Sequence, residues 1–427
     1  MEKCIHVIGA GLAGSEAAYQ IAKRGIKVKL YEMRPHKDAK AHHTDKFAEL
    51  VCSNSLKSNA LDNASGLMKE EMRYLDSLII KCADATKVPA GQSLSVDREE
   101  FSNLVTKTIK ENPLIEVINE EVSEIPDGIV IIASGPLTSD KLSIKIKELL
   151  NDDSLYFYDA SAPLIDANTI NMNIAYKKSR YDKGDADYIN CPFDKEQFFA
   201  FYGELVKAER APLHEFEKEN HFEACMPIEV IAKRGFKSLT FGPMKPVGLE
   251  KEDGKRPFAV VQLRQDNKES SLYNIVGFQT NLKWGEQNRV FKLIPGLENA
   301  TFYRYGVMHR NTFINAPKHL LPTMQLKVNK NIFIAGQLSG VEGYIESSAS
   351  GIVAAINAVN LLNKKDLVTL PVETIIGALL NYICNAQVKS FQPVNSNYGI
   401  LSNRSKDKMA IKDLSLSTLK KWIDEHE

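Results

Sequence analysis

The chain has 427 residues, enough for two or three domains, and its 44% hydrophobic and 25% charged content suits an ordinary globular protein rather than a disordered or fibrous one. Its 54 basic and 54 acidic residues cancel, which excludes a global electrostatic footprint for nucleic acid; an RNA partner would need a local patch. No uninterrupted apolar run approaches a membrane span, no secretory leader is visible, and the six cysteines show neither C-x-x-C nor zinc-like spacing, so the expectation is a cytoplasmic protein with reduced thiols and no membrane partner.

Taken from the N-terminus, Cys4-Ile5-His6-Val7-Ile8 is a short apolar strand that runs straight into Gly9-Ala10-Gly11-Leu12-Ala13-Gly14. An Ala-rich helix from Ser15 to Lys23, a break at Gly25 and a second strand from Lys27 to Tyr31 follow, ending on Glu32. Strand, tight turn, helix, strand and acid form the context in which G-x-G-x-x-G means dinucleotide binding. Gly9 allows the turn, Gly11 lets the backbone approach a pyrophosphate, and Gly14 lets the helix pack on the strand with its N-terminal N–H groups facing the phosphates. Glu32 stands where a carboxylate would accept hydrogen bonds from a ribose 2′-hydroxyl, and its charge would repel a 2′-phosphate. A glycine-rich turn without a ligand is the plainer reading, and the register of strand, helix and acid argues against it.

Between Met33 and Lys46 lie His36, His42, His43 and Asp45, without the fixed helical spacing of a metal site; solvated loop histidines are the commoner meaning, and no metal is expected. Phe47 to Asn59 differs in character: Cys52 is followed by Ser53, Asn54, Ser55 and Ser58, a small polar set able to turn donors toward a ligand. Composition alone favours a buried structural cysteine there. Leu67–Leu78 and Asp97–Lys110 have the periodicity of amphipathic helices.

Gly128 to Ala133 is a continuous apolar strand of the kind buried on both faces of a parallel sheet, and it ends on Ser134-Gly135-Pro136, a turn that can pass close to a cofactor. A matching strand, Asn331 to Ala335, is followed by Gly336-Gln337, by Gly340-Val341-Glu342-Gly343-Tyr344, and by a helix from Ser347 to Leu362 rich in small residues. Two such elements far apart predict one nucleotide-binding domain, residues 1–190 and 326–427, interrupted by an insertion over 191–325. The insertion carries helical patterns at Glu196–Ala208 and Leu213–Asn220 and antiparallel strands at Pro257–Arg264 and Leu272–Phe278. Lys233, Arg234, Lys237, Lys245, Lys255, Arg256 and Arg264 gather there, as a solvated surface or an RNA-facing patch. Ser415–His426 is a short C-terminal helix.

The late strand and glycine turn favour FAD over NAD, because two-dinucleotide flavoproteins hold ribitol and flavin with such an element. No other G-x-G occurs, so NADH or NADPH would visit the flavin rather than occupy a second nucleotide unit. Many flavoproteins place Gly-Asp at the late turn; here it is Gly336-Gln337, with a neutral amide replacing the carboxylate. The expected fold is α/β: a Rossmann-like FAD-binding domain of the two-dinucleotide type, interrupted by an α+β insertion domain.

Several longer runs carry a family likeness: Glu49-Leu50-Val51-Cys52-Ser53-Asn54-Ser55, Phe222-Glu223-Ala224-Cys225-Met226-Pro227-Ile228-Glu229, Leu282-Lys283-Trp284-Gly285-Glu286-Gln287, Arg304-Tyr305-Gly306-Val307-Met308-His309-Arg310-Asn311-Thr312-Phe313 and Gly340 to Tyr344. Together they resemble the folate- and flavin-dependent tRNA (uracil-5-)-methyltransferases, TrmFO, across nearly the whole chain. The relatives that modify the tRNA wobble uridine share the FAD fold but run to a longer C-terminal helical region. The resemblance implies ribothymidine formation in the tRNA T-loop, with methylenetetrahydrofolate giving the carbon and NAD(P)H-reduced FAD the electrons. It also implies a methylene iminium on flavin N5 and a cysteine thiolate adding to uracil C6.

The chemistry asks for the same parts, since uracil C5 becomes nucleophilic only after addition at C6, and a thiolate combines nucleophilicity with reversible departure. Cys225 is assigned as nucleophile, and Cys52 as the base for the C5 proton or as the group steadying the methylene adduct; the two roles could be exchanged. Glu223 and Glu229, if close to Cys225, would oppose thiolate formation. His309 is the candidate for stacking on the pterin, Arg310 and Asn311 for phosphate or the pterin edge, and Tyr344 and Glu342 for folate or uracil. Cys4, Cys82, Cys191 and Cys384 are left as structural. The alternatives are the same chemistry on a ribosomal RNA uridine, an NAD(P)H-dependent flavin oxidoreductase without RNA, and a non-catalytic FAD module. No protein partner is evident.

Overall fold

The structure is a computed structural model that describes residues 3–37, 42–152, 155–160, 162–182, 185–211, 226–251, 254–306, 308–401, 405 and 407–426; the side chains of 155–160, 308–311 and 390 lie outside that description. Five parallel strands make the central sheet, in the order Ile332–Ile334, Ile129–Ile132, Cys4–Ile8, Lys27–Tyr31, Ile115–Ile118. The residues that read as continuous apolar runs, Val130 to Ile132 and Ile332 to Ile334, are buried at the middle and one edge of this sheet, as strands covered on both faces must be. The helix Leu12–Lys23 lies against the helix Tyr344–Leu362, and small residues permit it: a Cβ on Gly351 would stand 2.4 Å from the carbonyl oxygen of Ala13. Tyr344–Leu362 is long and apolar enough to cross a membrane, but 83% of its apolar window is buried, so its hydrophobicity is spent on the core.

The predicted helix over Leu67–Leu78 is two helices, Ala64–Tyr74 and Leu78–Ala85. Asp76 takes φ 60° between them, and Ser77 caps the second by accepting from the N–H of Ile80. The carboxylate of Glu16, fully buried, accepts from Ser77 Oγ at 2.6 Å and from the N–H groups of Leu78 and Ile79 at 3.1 and 2.9 Å. A helix start satisfied by an acid some sixty positions earlier in the chain leaves no local signal. Asp97 caps Arg98–Lys110 as its spacing predicts, accepting from the N–H groups of Glu99 and Glu100.

A six-stranded antiparallel sheet, in the order Tyr176–Lys177, Tyr188–Phe193, Ala259–Gln265, Leu272–Ile275, Leu164–Asp166, Phe302–Arg304, forms the second unit. Its core draws on residues from Ile165 to Ala300 and is separate from the core that gathers Ile5 to Leu150 with Phe313 to Trp422. The α/β unit is thus interrupted by an α+β unit, whose first strands precede residue 190. The predicted strand pair is present as Ala259–Gln265 against Leu272–Ile275, and the predicted helix as Lys195–Lys207, closed by a capping box between Asp194 and Gln197. The helix expected at Leu213–Asn220 lies outside the described residues.

Candidate active site

The glycine turn opens a cleft of about 160 Å³, lined by Gly9, Gly11, Glu32, Gly135, Gly336 and Gln337 among others, with Tyr344 and Ser347 at its wall. Sequence-distant parts meet here because Cys4–Ile8, Ile129–Ile132 and Ile332–Ile334 are adjacent parallel strands whose C-terminal ends share one rim. Gly9 holds φ +98°, and a Cβ there would stand 2.7 Å from Ala133 O; on Gly14 it would stand 1.7 Å from Gly9 O, so helix and strand touch only because both are glycine. Gly11 is different: nothing lies within 4 Å of its would-be Cβ. Open space there, at the start of a helix whose cap residue offers no side-chain hydrogen bond, is the cradle a pyrophosphate requires.

Glu32 is 5% exposed. Its Oε2 accepts from the N–H of Ala10 at 3.0 Å, and its Oε1 accepts from the backbone N–H of Arg34 at 3.1 Å and from Arg34 Nε at 2.9 Å. Burial raises its carboxyl pKa, but hydrogen bonding and charge from Arg34 outweigh that and hold it below the usual range, so it stays ionised. At the late turn, Gln337 Nε2 donates to Glu342 Oε2 at 2.5 Å, and Gly336 N–H donates to Ser350 Oγ at 2.7 Å. The following helix begins three residues earlier than its periodicity predicts, at Tyr344, because Gly343 takes φ 118° and turns the chain into it.

That early start brings Tyr344 to Cys52. The phenolic oxygen accepts from the N–H groups of Cys52 at 2.9 Å and Ser53 at 3.2 Å. Burial, then the neighbouring Cys52, push its pKa well above the phenol range, so it remains neutral. Two arginines hold the rest of the loop. Arg98, at the start of its helix, donates to the carbonyls of Leu50 and Cys52 and pairs with Asp266 at 2.9 Å. Arg264 donates to Asn54 Oδ1 at 3.1 Å and to Ser53 Oγ, and Asn54 Nδ2 in turn donates to the carbonyls of Gln265 and Asp266. Arg264 therefore belongs under the Cys52 loop, 9% exposed, rather than on the basic surface the sequence suggested. Sequence reasoning missed Arg98, Asp266 and Arg264 as a clamp, since nothing local marks them.

Cys225 and Glu223 lie outside the described residues. His309 and Arg310 are placed by their backbone alone, in the strand Met308–Phe313 paired antiparallel with Leu155–Ala160. Glu229 is buried, accepting from Thr280 Oγ1 at 2.9 Å and the N–H of Asn281 at 2.8 Å. Among the described residues, no group of three acidic, histidine or cysteine side chains is placed to hold a metal.

Comparison with known proteins accords with this arrangement. The family model of glucose inhibited division protein A matches residues 4–366. A Listeria monocytogenes protein named methylenetetrahydrofolate--tRNA-(uracil-5-)-methyltransferase TrmFO is 62% identical over 94% of this chain and 92% of its own length. The chain belongs to the TrmFO family. Relatives of the same name from Bacillus pumilus and Halalkalibacterium halodurans are 61% and 60% identical, covering 94% and 95% of the chain and 93% and 94% of their own lengths. Aquifex aeolicus GidA in its form I crystal superposes with a TM-score of 0.74 at 19% identity, covering 100% of this chain and 76% of its own, and so shares the fold. The TrmFO-family chain thus builds its cleft on a GidA-like frame.

Proposed function

We propose that the protein methylates C5 of a uridine in the T-loop of tRNA to give ribothymidine, taking the carbon from methylenetetrahydrofolate and electrons from NADH or NADPH through FAD. The observation that carries this reading is the identity of 60–62%, over nearly full length, to relatives named for that reaction. Gly9, Gly11 and Gly14 would hold the pyrophosphate, Glu32 the ribose, and Gly135, Gly336, Gln337 and Gly343 the flavin end. The open space at Gly11 and the uncapped helix behind it support this fit. When bound, the flavin supplies reducing equivalents and a carrier for the one-carbon unit.

The chain's own residues do the rest. Cys225 adds to C6 of the uracil, and Cys52 takes the C5 proton from a loop that Tyr344 and Arg98 keep in one geometry. His309 would stack on the pterin, and Arg310, Tyr344 and Glu342 would contact folate or uracil. We read the chain as an FAD domain interrupted at 191–325; the shared core from Ile165 supports adding the strands before residue 190 to the inserted unit. We read the setting as cytoplasmic from the six cysteines, whose spacing shows no disulfide framework.

The test is direct. Purified protein is supplied with methylenetetrahydrofolate, NADH and either unmodified tRNA or ribosomal RNA, and 5-methyluridine is measured. Product in the tRNA arm that Cys225→Ala abolishes while keeping its yellow flavin upholds the reading. Product only with ribosomal RNA, or NADH oxidation with neither RNA methylated, overturns it.

A further inference from the structure

Arg304 lies in the antiparallel unit. It ends the strand Phe302–Arg304, which pairs with Leu164–Asp166 at the edge of the antiparallel sheet. Its Nε and Nη2 are buried, and neither has a hydrogen-bond partner among the described residues. A buried guanidinium edge with two unused donors is destabilising unless something outside the resting chain completes it. The neighbouring charged groups are already committed. Arg98 is taken by Leu50, Cys52 and Asp266, and Arg264 by Ser53 and Asn54. Asp266, the acid of the cluster, faces Arg98.

Arg304 lies within electrostatic reach of Arg98, Asp266, Tyr344 and Cys52. Burial first, then Arg98, push its pKa below the ordinary arginine value, the signature of a cation short of partners. Nε and Nη2 lie on one edge of the planar group and present two parallel donors, an arrangement suited to an oxygen bearing negative charge. Both atoms being buried, a phosphodiester that keeps its solvent is a poorer match than the carbonyl oxygen of an extruded base.

We propose that Arg304 is a catalytic residue whose Nε–Nη2 edge receives O4 of the target uracil and holds the enolate that forms there; this rests on the methylation reading above. When a thiolate bonds to C6, the C5=C6 electron pair becomes C4=C5, and the C4=O4 pair moves onto O4. C5 then bonds to the methylene carbon as that carbon's π pair with its carrier nitrogen moves onto the nitrogen, and the pair on O4 returns to restore C4=O4. Loss of the C5 proton to Cys52 puts a pair on O4 again, and its return expels the carrier nitrogen from the methylene. Two electrons originating from NADH or NADPH then reach that carbon as hydride and send the charge back to O4, and its last return re-forms C5=C6 as the thiolate leaves C6. A group on O4 must therefore sit beside the base that takes the C5 proton, and Arg304 shares one face of the sheet with Arg264, across Leu164 and Asn274, while Arg264 grips Ser53 next to Cys52.

The experiment uses flavin-loaded enzyme with tRNA carrying tritium at C5 of the target uridine. It follows tritium release and 5-methyluridine together, with KM for tRNA and for folate and the pH profile measured separately. For Arg304→Gln we expect release and product to fall together by about 100-fold or more in kcat, as when one oxyanion donor is removed. Both KM values should stay within about threefold and flavin content unchanged. Arg304→Lys should recover part of the rate because one charged donor remains, and it carries the test if the glutamine variant folds poorly. A loss confined to KM for tRNA or for folate would place the arginine on a phosphate or carboxylate and overturn the proposal. Rates restored by raising pH would show that it serves only to ionise Cys52, and would also overturn it. No release by the unaltered enzyme would sink the methylation reading itself, and this proposal with it.

Discussion

The phenolic oxygen of Tyr344 accepts the backbone N–H of Cys52 at 2.9 Å, joining residues 292 positions apart. The same oxygen takes the N–H of Ser53, so one side chain satisfies two successive donors of the thiol loop. Tyr344→Phe leaves both half-buried donors unpaired, at about 1–3 kcal/mol. We expect the variant to keep its flavin but to methylate at least tenfold more slowly, with loosened protection of the Cys52 and Ser53 amides in hydrogen exchange. Unchanged exchange at those two amides would refute the clamp.

The two glycines of the turn should separate folding from cofactor binding. Gly14→Ala puts a Cβ 1.7 Å from a backbone oxygen and should destabilise even the flavin-free protein by about 3 kcal/mol. Gly11→Val meets open space at its Cβ, so the flavin-free variant should melt close to the parent while its flavin content collapses. Retained flavin in Gly11→Val would show that the pyrophosphate lies elsewhere.

Asp266→Asn removes the anion that faces Arg98, whose side chain is only 15% exposed. Breaking a buried pair from one side costs about 3–5 kcal/mol. Stability should drop by an amount in that range, and replacing Arg98 as well should add much less than its single effect. Additive losses in the double-mutant cycle would rule out the pairing.

Glu71 supplies a pH signature. Its carboxylate is buried and accepts from the N–H groups of Ile375 and Ile376 and from Ser415 Oγ. Burial raises its pKa to about 7 against an ordinary value of 4.5, the three hydrogen bonds offsetting only part of the effect. Between those values the folded chain holds the proton more tightly than the unfolded one, so its stabilising effect is full at acid pH and is lost as pH rises toward 7. The urea midpoint should fall from pH 5 to pH 7, and Glu71→Gln should flatten that slope.

The strand, glycine turn and helix that open the cleft were legible because their signals are local: glycine spacing, a buried strand, and an acid at the end of the next strand all fall within the first 32 residues. The late turn was legible for the same reason, down to Gly336 and Gln337 lining the cleft. The grip on Cys52 was not. Arg98 falls inside an amphipathic helical pattern and Arg264 among clustered basic residues, nothing local marks Asp266, and only the packing of two cores brings them together. The sequence points Tyr344 at folate or uracil, yet its hydrogen-bond partners lie in the thiol loop, because the helix starts at Tyr344 rather than Ser347.

Long-range closure of the Cys52 loop has a consequence for synthesis. Its contacts come from Arg98, Arg264 and Tyr344, so a chain still emerging from the ribosome carries the thiol for most of its length before the last of them exists. Until then the backbone around Cys52 lacks the contacts that fix its shape, and the site we propose for methylation stays unassembled in every incomplete product.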